Sequence, residues 1–323
     1  MKKRNVSIDI YKGILTAMMV LAHCLQFFVY LHETPVARLV SDYVNLTTFS
    51  GFVVAFGFVS YHAYLKKDIS EVRVKIGKNA FKLLLAFYIS SFAYVIFRQH
   101  AFTGLETVID LLLINRLAGY SEFLLSFVFL VASCLLLHPL LKNLTPKKMT
   151  LLIAISLATT FVPYTSVHPV IGTLIGGTNF AYFSVTQYYF LFVIGIAFAK
   201  YNIIWHKWIF SVAMLLSLLY LVVNFFFFAP SRFPVSALFM LGATGFIYLY
   251  YLLAQKIQFS KVGGIFEQIG KQSLYYLLLS NIFIFALTNT AIYRGGVFVA
   301  VSLFIAIMLV SYYLKTLLIK PKN

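Results

Sequence analysis

Long apolar runs separated by short polar segments dominate the pattern of this chain. Each run is continuous over most of the roughly 20 residues that a helix needs to cross a bilayer, and does not alternate as strands of a membrane barrel do. The ten predicted spans are Ile8–Leu31, Leu46–Leu65, Phe81–Phe97, Phe123–Leu141, Met149–Tyr164, Thr186–Ala199, Trp208–Ala229, Val235–Ala254, Ser273–Ala291 and Val297–Leu318. The pattern predicts an all-α, polytopic membrane protein with about ten transmembrane helices.

The remaining segments add no second domain. Leu105–Ile114 is apolar but short and contains Asp110, which predicts an interfacial or re-entrant helix. Residues 165–185 carry no charge and predict a flexible connector or a lid. Since no repeat, linker or shift of composition divides the chain, residues 1–323 are expected to form a single transmembrane domain.

Composition supports the membrane class. The chain is 61% hydrophobic and 11% charged, with a mean hydropathy of +0.90, whereas a soluble domain has about 25% charged residues. The net charge of +17 does not indicate nucleic-acid binding, because Lys and Arg lie in clusters between apolar runs.

Placing both termini in the cytoplasm puts 20 of the 26 Lys and Arg residues inside and five arginines outside. This split is typical of a protein of the cell (cytoplasmic) membrane with an even number of spans.

The first span carries the strongest chemical signal. At 100° per residue, Asp9, Lys12, Thr16 and His23 fall on one face of a helix. His23 would lie about 16 Å from Lys12 along the axis, near the middle of the bilayer. An imidazole at that depth indicates a base or proton carrier. Asp9 and Lys12 alone could equally form an ordinary ion pair at the membrane boundary.

Residues 5–14 read Asn-Val-Ser-Ile-Asp-Ile-Tyr-Lys-Gly-Ile and are followed by His23. This pattern resembles the opening of the acyltransferase-3 family of integral membrane acyltransferases, with Lys12 in place of the commoner Arg. Three further segments also resemble that family: Thr48–Phe52, Tyr189–Gly195 and Ile269–Leu277.

Three departures from the family pattern bear on substrate contacts. Ser280 replaces a frequent His, and Lys78 and Lys82 replace paired arginines at the start of the third span. Glu122-Phe123-Leu124 replaces a Trp-Phe-Leu segment.

The resemblance implies transfer of an acyl group, most often acetyl, from acyl-coenzyme A as co-substrate to a hydroxyl of a cell-envelope glycan or lipid-linked sugar. His23 would act as base or covalent carrier, and Asp9 would hold Lys12 in place. Lys12, Lys78 and Lys82 would bind the polyanionic donor. The basic cluster Lys66–Lys82 would be either a cytoplasmic loop attracted to anionic lipid or a landing site for the phosphates of coenzyme A. No metal and no bound cofactor are expected, and the partners would be the bilayer and proteins of polysaccharide synthesis.

The expected acceptor contacts rest on weaker signals. Glu122 could orient a sugar hydroxyl, pair with Arg116 or be an interfacial carboxylate. Ser50 and Ser273 could contact the acceptor, although Ser50 with Gly51 could simply allow close helix packing. The rival hypothesis is a transporter or flippase of polysaccharide intermediates, which would use the polar stripe without bond chemistry.

Overall fold

A computed structural model describes residues 5–290 and 292–318, and within them every regular element is helical. The helices are α1 Val6–Phe28, α2 Pro35–Ser60, α3 Ile69–Ala93, α4 Leu105–Leu112, α5 Glu122–Leu136, α6 His138–Lys142, α7 Pro146–Ala158, α8 Pro169–Ile175, α9 Val185–Lys200, α10 Lys207–Phe226, α11 Ala237–Gly242, α12 Thr244–Ile257, α13 Lys261–Lys271, α14 Ser273–Leu287 and α15 Val297–Leu318. Short π-helical turns extend α2 to Leu65 and α3 to Gln99.

The predicted all-α membrane class is confirmed. Six helical segments of the described chain are long and apolar enough to cross a bilayer: Val6–Phe28, Pro35–Leu65, Ile69–Gln99, Lys207–Phe226, Ala237–Ile257 and Val297–Leu317. Helices α5, α9 and α14 are apolar but shorter, and the predicted span at 149–164 forms α7 and one 3-10 turn. The count of ten spans and the cytoplasmic termini stay predictions. Leu105–Ile114 forms the eight-residue α4, which is too short to span.

Helix α1 lies at the centre of the bundle, where it packs against α2, α12, α13, α14 and α15. Of its most apolar stretch, 78% is buried, compared with 17% for α10 and for α15. A helix that carries Asp9, Lys12 and His23 cannot face lipid, because hydrocarbon offers these groups no hydrogen-bond partners. Surrounding α1 with other helices supplies those partners.

Both ends of α1 are held by side chains. At its start, the Asn5 side chain accepts a hydrogen bond from the Ile8 N–H at 3.1 Å. At its end, Arg294 Nη1 donates to the Val29 carbonyl at 2.7 Å. These contacts satisfy backbone groups that a helix leaves open at its termini. They fix the axial position of the polar stripe.

Two glycines allow α13 to cross closely over α1. A Cβ at Gly270 would lie 1.7 Å from the Asp9 carbonyl oxygen, and one at Gly13 would lie 1.9 Å from the Phe266 carbonyl oxygen. Both obstacles are backbone atoms, which cannot move aside as a side chain can. The crossing therefore requires glycine at both positions.

Gly270→Ala is expected to separate α13 from α1 and to lower the free energy of unfolding by about 1–3 kcal/mol, the range for overpacking a closed contact. Gly264→Ala on the same helix is the matched control. A Cβ there meets no atom within 4 Å, so this change should be neutral or slightly stabilising. Thermal unfolding in detergent measures both. Equal melting temperatures for the two variants would contradict the close crossing.

Candidate active site

Two cavities lie at different levels along the polar stripe of α1. The His23 cavity, of about 270 Å³, is formed by α1, α2, the start of α5 and the loops before α9 and α11. Its polar lining residues are His23, Gln26, Asn45, Thr48, Tyr120, Glu122 and Arg232. The Lys12 cavity, of about 740 Å³, has as its polar lining residues Asn5, Asp9, Lys12, His62, Lys66, Lys75, Asn202, Tyr251 and Gln255.

His23 is buried five residues before the end of α1, about 8 Å from that end. Its depth in the bilayer stays a prediction. Its ring lines the cavity and packs edge-on against the Tyr120 ring, with centroids 5.0 Å apart. The stripe that the sequence predicted thus ends in a cavity.

Asn281 on α14 fixes the state of the His23 ring. The Asn281 amide nitrogen donates to the Tyr120 carbonyl at 3.1 Å and to Ser90 Oγ at 3.2 Å. Because a carbonyl can only accept, this orientation turns Asn281 Oδ1 toward His23 Nδ1, 3.0 Å away. The ring must then carry its proton on Nδ1. Nε2, which forms no hydrogen bond within the described chain, keeps a free lone pair.

Tyr120 holds a backbone conformation that brings these groups together. Its φ of 65° lies in the left-handed region, where a residue with a side chain costs roughly 1–2 kcal/mol. This conformation presents the Tyr120 carbonyl to Asn281 and its ring to His23. The strained residue, Tyr120, is thus one that contacts the His23 ring and the Asn281 side chain that binds it.

Glu122, the first residue of α5, provides a carboxylate in the same cavity. It is only 9% exposed, and its Oε2 atom is buried without a hydrogen-bond partner. Backbone N–H groups of residues 120 to 122 lie near the carboxylate, at the positive end of a helix dipole. The pair with Arg116 does not form, because Arg116 is half-buried and donates to Gln99 Oε1 instead.

The Lys12 cavity contains the charged end of the stripe. Lys12 Nζ lies 2.8 Å from Asp9 Oδ1, and Asp9 is buried. Lys66 and Lys75 line the same cavity. Both belong to the basic cluster Lys66–Lys82, which the sequence offered as a landing site for phosphates. The spacing of these lysines along the chain does not reveal which of them face the cavity.

Four other predicted site residues lie outside both cavities. Lys78 and Lys82 are exposed on α3, Ser50 is buried in α2, and Ser273 Oγ donates to the Gly270 carbonyl at 2.9 Å. Their roles in donor or acceptor binding stay predictions.

The two cavities share no lining residue. Tyr11 and Leu15, both buried, pack against Gly51 between the two levels. A Cβ at Gly51 would lie within 3.0 Å of the Leu15 and Tyr11 side chains. Packed side chains, Tyr11 and Leu15 among them, therefore lie between the two cavities.

The residues of the His23 cavity support acid–base chemistry. A neutral imidazole with a free nitrogen can take a proton from a hydroxyl, and the carboxylate of Glu122 can accept hydrogen bonds from further hydroxyls. Among residues 5–290 and 292–318, no group of three or more His, Cys, Asp or Glu side chains could hold a metal ion.

The described chain is a helical membrane bundle with a buried, oriented histidine in a polar cavity. The family model described as an acyltransferase domain matches residues 5–316, nearly the whole chain. The chain therefore belongs to the acyltransferase-3 family, as its sequence motifs indicated, and is a membrane acyltransferase. No curated protein and no solved structure matches it.

Asn281→Ala is expected to lower the rate of acyl transfer by roughly 10- to 100-fold, a part of the 10²–10⁴ that an acid–base residue contributes. The alanine leaves His23 Nδ1 without its acceptor, so the ring loses its fixed orientation and tautomer. Ser280→Ala is the neighbouring control, because Ser280 Oγ donates only to the Leu277 carbonyl of its own helix. Comparable rates in the two variants, both properly folded, would rule out this positioning role for Asn281.

Proposed function

We propose that this acyltransferase moves an acetyl group from acetyl-coenzyme A to a hydroxyl of a cell-envelope glycan or lipid-linked sugar. The observation that carries the proposal is the hydrogen bond from His23 Nδ1 to Asn281 Oδ1, which leaves Nε2 free in a polar cavity. The membership of the chain in an acyltransferase family supports this reading over that of a transporter.

The Lys12 cavity is the proposed donor site. It is the larger of the two, and Lys12, Lys66 and Lys75 give it an excess of positive charge over Asp9. Coenzyme A carries several phosphate charges, which lysine side chains bind as point charges. The distribution of Lys and Arg along the chain supports a cytoplasmic position for this end, where the donor would be available.

The His23 cavity is the proposed acceptor site. The acceptor oxygen attacks the thioester carbonyl while its proton passes to His23 Nε2. The carbon–sulfur bond then breaks, and the leaving coenzyme A sulfur takes that proton back from the imidazolium. Glu122 would accept hydrogen bonds from other hydroxyls of the acceptor. Since about 16 Å of helix separates Lys12 from His23, the pantetheine arm would have to displace Leu15 and Tyr11.

The cell membrane is the proposed location, with the acceptor site near its outer face. Proteins that synthesise the acceptor polysaccharide would be the natural partners, because they supply the hydroxyl that is modified.

His23→Ala is expected to reduce acetyl transfer by 10²–10⁴-fold, approximately the contribution of a positioned base. His32→Ala is the control, because the His32 side chain is 73% exposed and contacts only Glu33 and Tyr30. Release of free coenzyme A thiol from acetyl-coenzyme A by purified protein, in the presence of a glycan extract, measures the reaction. A folded His23→Ala variant with more than about a tenth of the wild-type rate would count against the proposal.

Lys75→Ala is expected to raise the KM for acetyl-coenzyme A by roughly 5- to 30-fold, with a smaller effect on kcat, because it removes a contact present before and during the reaction. Lys82→Ala in the same assay tests the residue that the sequence favoured. An equal increase in KM for Lys82→Ala would show that the donor site extends along α3. An unchanged KM in Lys75→Ala would place the phosphates outside the Lys12 cavity.

A further inference from the structure

Five arginines lie at the His23 end of the bundle, and four of them have polar partners in the protein. Arg38 pairs with Asp42, Arg98 donates to Tyr293 Oη, Arg116 donates to Gln99 Oε1 and Arg294 donates to the Val29 carbonyl. Arg232 is the exception. Within the described residues it forms no ion pair, and its Nε is buried without a hydrogen-bond partner.

The loop before α11 holds Arg232 in place. The Ser231 carbonyl accepts hydrogen bonds from the Ser236 N–H at 2.9 Å and from Ser236 Oγ at 3.1 Å. Arg232 and Val235 face each other in an isolated β-bridge inside this turn. The backbone of Arg232 is thus held by the turn.

Two aromatic rings flank the guanidinium. Its central carbon lies 4.8 Å from the Phe233 ring centroid and 5.5 Å from that of Phe183. Stacking on aromatic faces suits the planar guanidinium and leaves its N–H edge free to meet a ligand in the plane. Burial lowers the pKa of Arg232, whereas nearby groups that include Glu122 raise it. The rings therefore orient the cation without satisfying its donors.

Arg232 and Glu122 line the same cavity without pairing with each other. Glu122 is near the backbone N–H groups at the start of α5, whereas Arg232 has no protein acceptor for its buried Nε. A ligand between them would meet a hydrogen-bond acceptor at one end and a cation at the other.

We propose that Arg232 binds an anionic group of the acceptor, a carboxylate or a phosphate, and thereby makes acidic sugars the preferred class of acceptor. This inference rests on the proposed function, because it takes the His23 cavity as the acceptor site. A planar fork of N–H donors matches carboxylate and phosphate oxygens in pairs. His23 and Glu122 would then face the hydroxyls of the same sugar.

Binding to the purified full-length protein without donor tests the inference. Three probes are compared by calorimetric titration: methyl glucuronide, glucose 6-phosphate and the neutral methyl glucoside. We expect the Kd of at least one anionic sugar to be about ten-fold or more below that of the glucoside, as charge-assisted hydrogen bonds provide. The two anionic probes distinguish a carboxylate from a phosphate as the preferred group.

Arg232→Gln should abolish this preference, and Arg38→Gln, which changes an exposed arginine at the same end, should retain it. Arg232→Lys keeps the positive charge but lacks the planar set of N–H donors, so it should retain only part of the preference for anionic sugars. If the glutamine variant does not fold, the lysine variant provides the test. Equal Kd values for charged and neutral sugars in the wild type would overturn the inference. So would an undiminished preference in folded Arg232 variants, or no millimolar binding of either anionic probe.

These outcomes are separate from the test of acyl transfer. Failure of His23→Ala to lower the transfer rate would remove the proposed function and leave the measured anion binding unchanged. If the wild type shows no preference for anionic sugars but its acyl transfer depends on His23, only the inference about Arg232 is wrong.

Discussion

The architecture depends on one constraint, which is that a membrane-crossing helix carries groups that hydrocarbon cannot solvate. Asp9, Lys12 and His23 on α1 need partners within the protein. Five helices surround α1. Lys12 pairs with Asp9 within α1, and Asn281 of α14 binds His23. Gly270 lets α13 approach the Asp9 backbone directly. The burial of α1 thus follows from the polarity of one of its faces.

The polar groups of α1 line two separate cavities. The lysine-lined cavity at one end of the stripe and the histidine cavity at the other share no lining residue. Tyr11 and Leu15 close the space between them against Gly51. A barrier of movable side chains can admit a narrow pantetheine arm and exclude water and ions. The separation would therefore let donor and acceptor remain on opposite faces of the membrane.

Sequence reasoning found the residues that lie on one helix and missed those that depend on tertiary folding. Helical periodicity is enough to align Lys12 with His23. Asn281 lies in a mostly apolar helix, and only packing reveals its contact with the imidazole. A polar residue at that position in a span was nevertheless a usable signal. The sequence placed Arg232 among the outer arginines and Lys75 in the basic cluster Lys66–Lys82. Linear spacing did not reveal that these two, and not their neighbours, line the cavities.

The central claim is that the donor binds at the Lys12 end and the acceptor at the His23 end. Proteoliposomes of known orientation, determined with an impermeant thiol reagent and a cysteine at position 67, test it most directly. Acetyl-coenzyme A is added outside and methyl glucuronide is sealed inside. We expect release of coenzyme A and acetylation of the enclosed sugar only in vesicles whose Lys12 end faces outward. Transfer that requires donor and sugar on the same side would contradict the account.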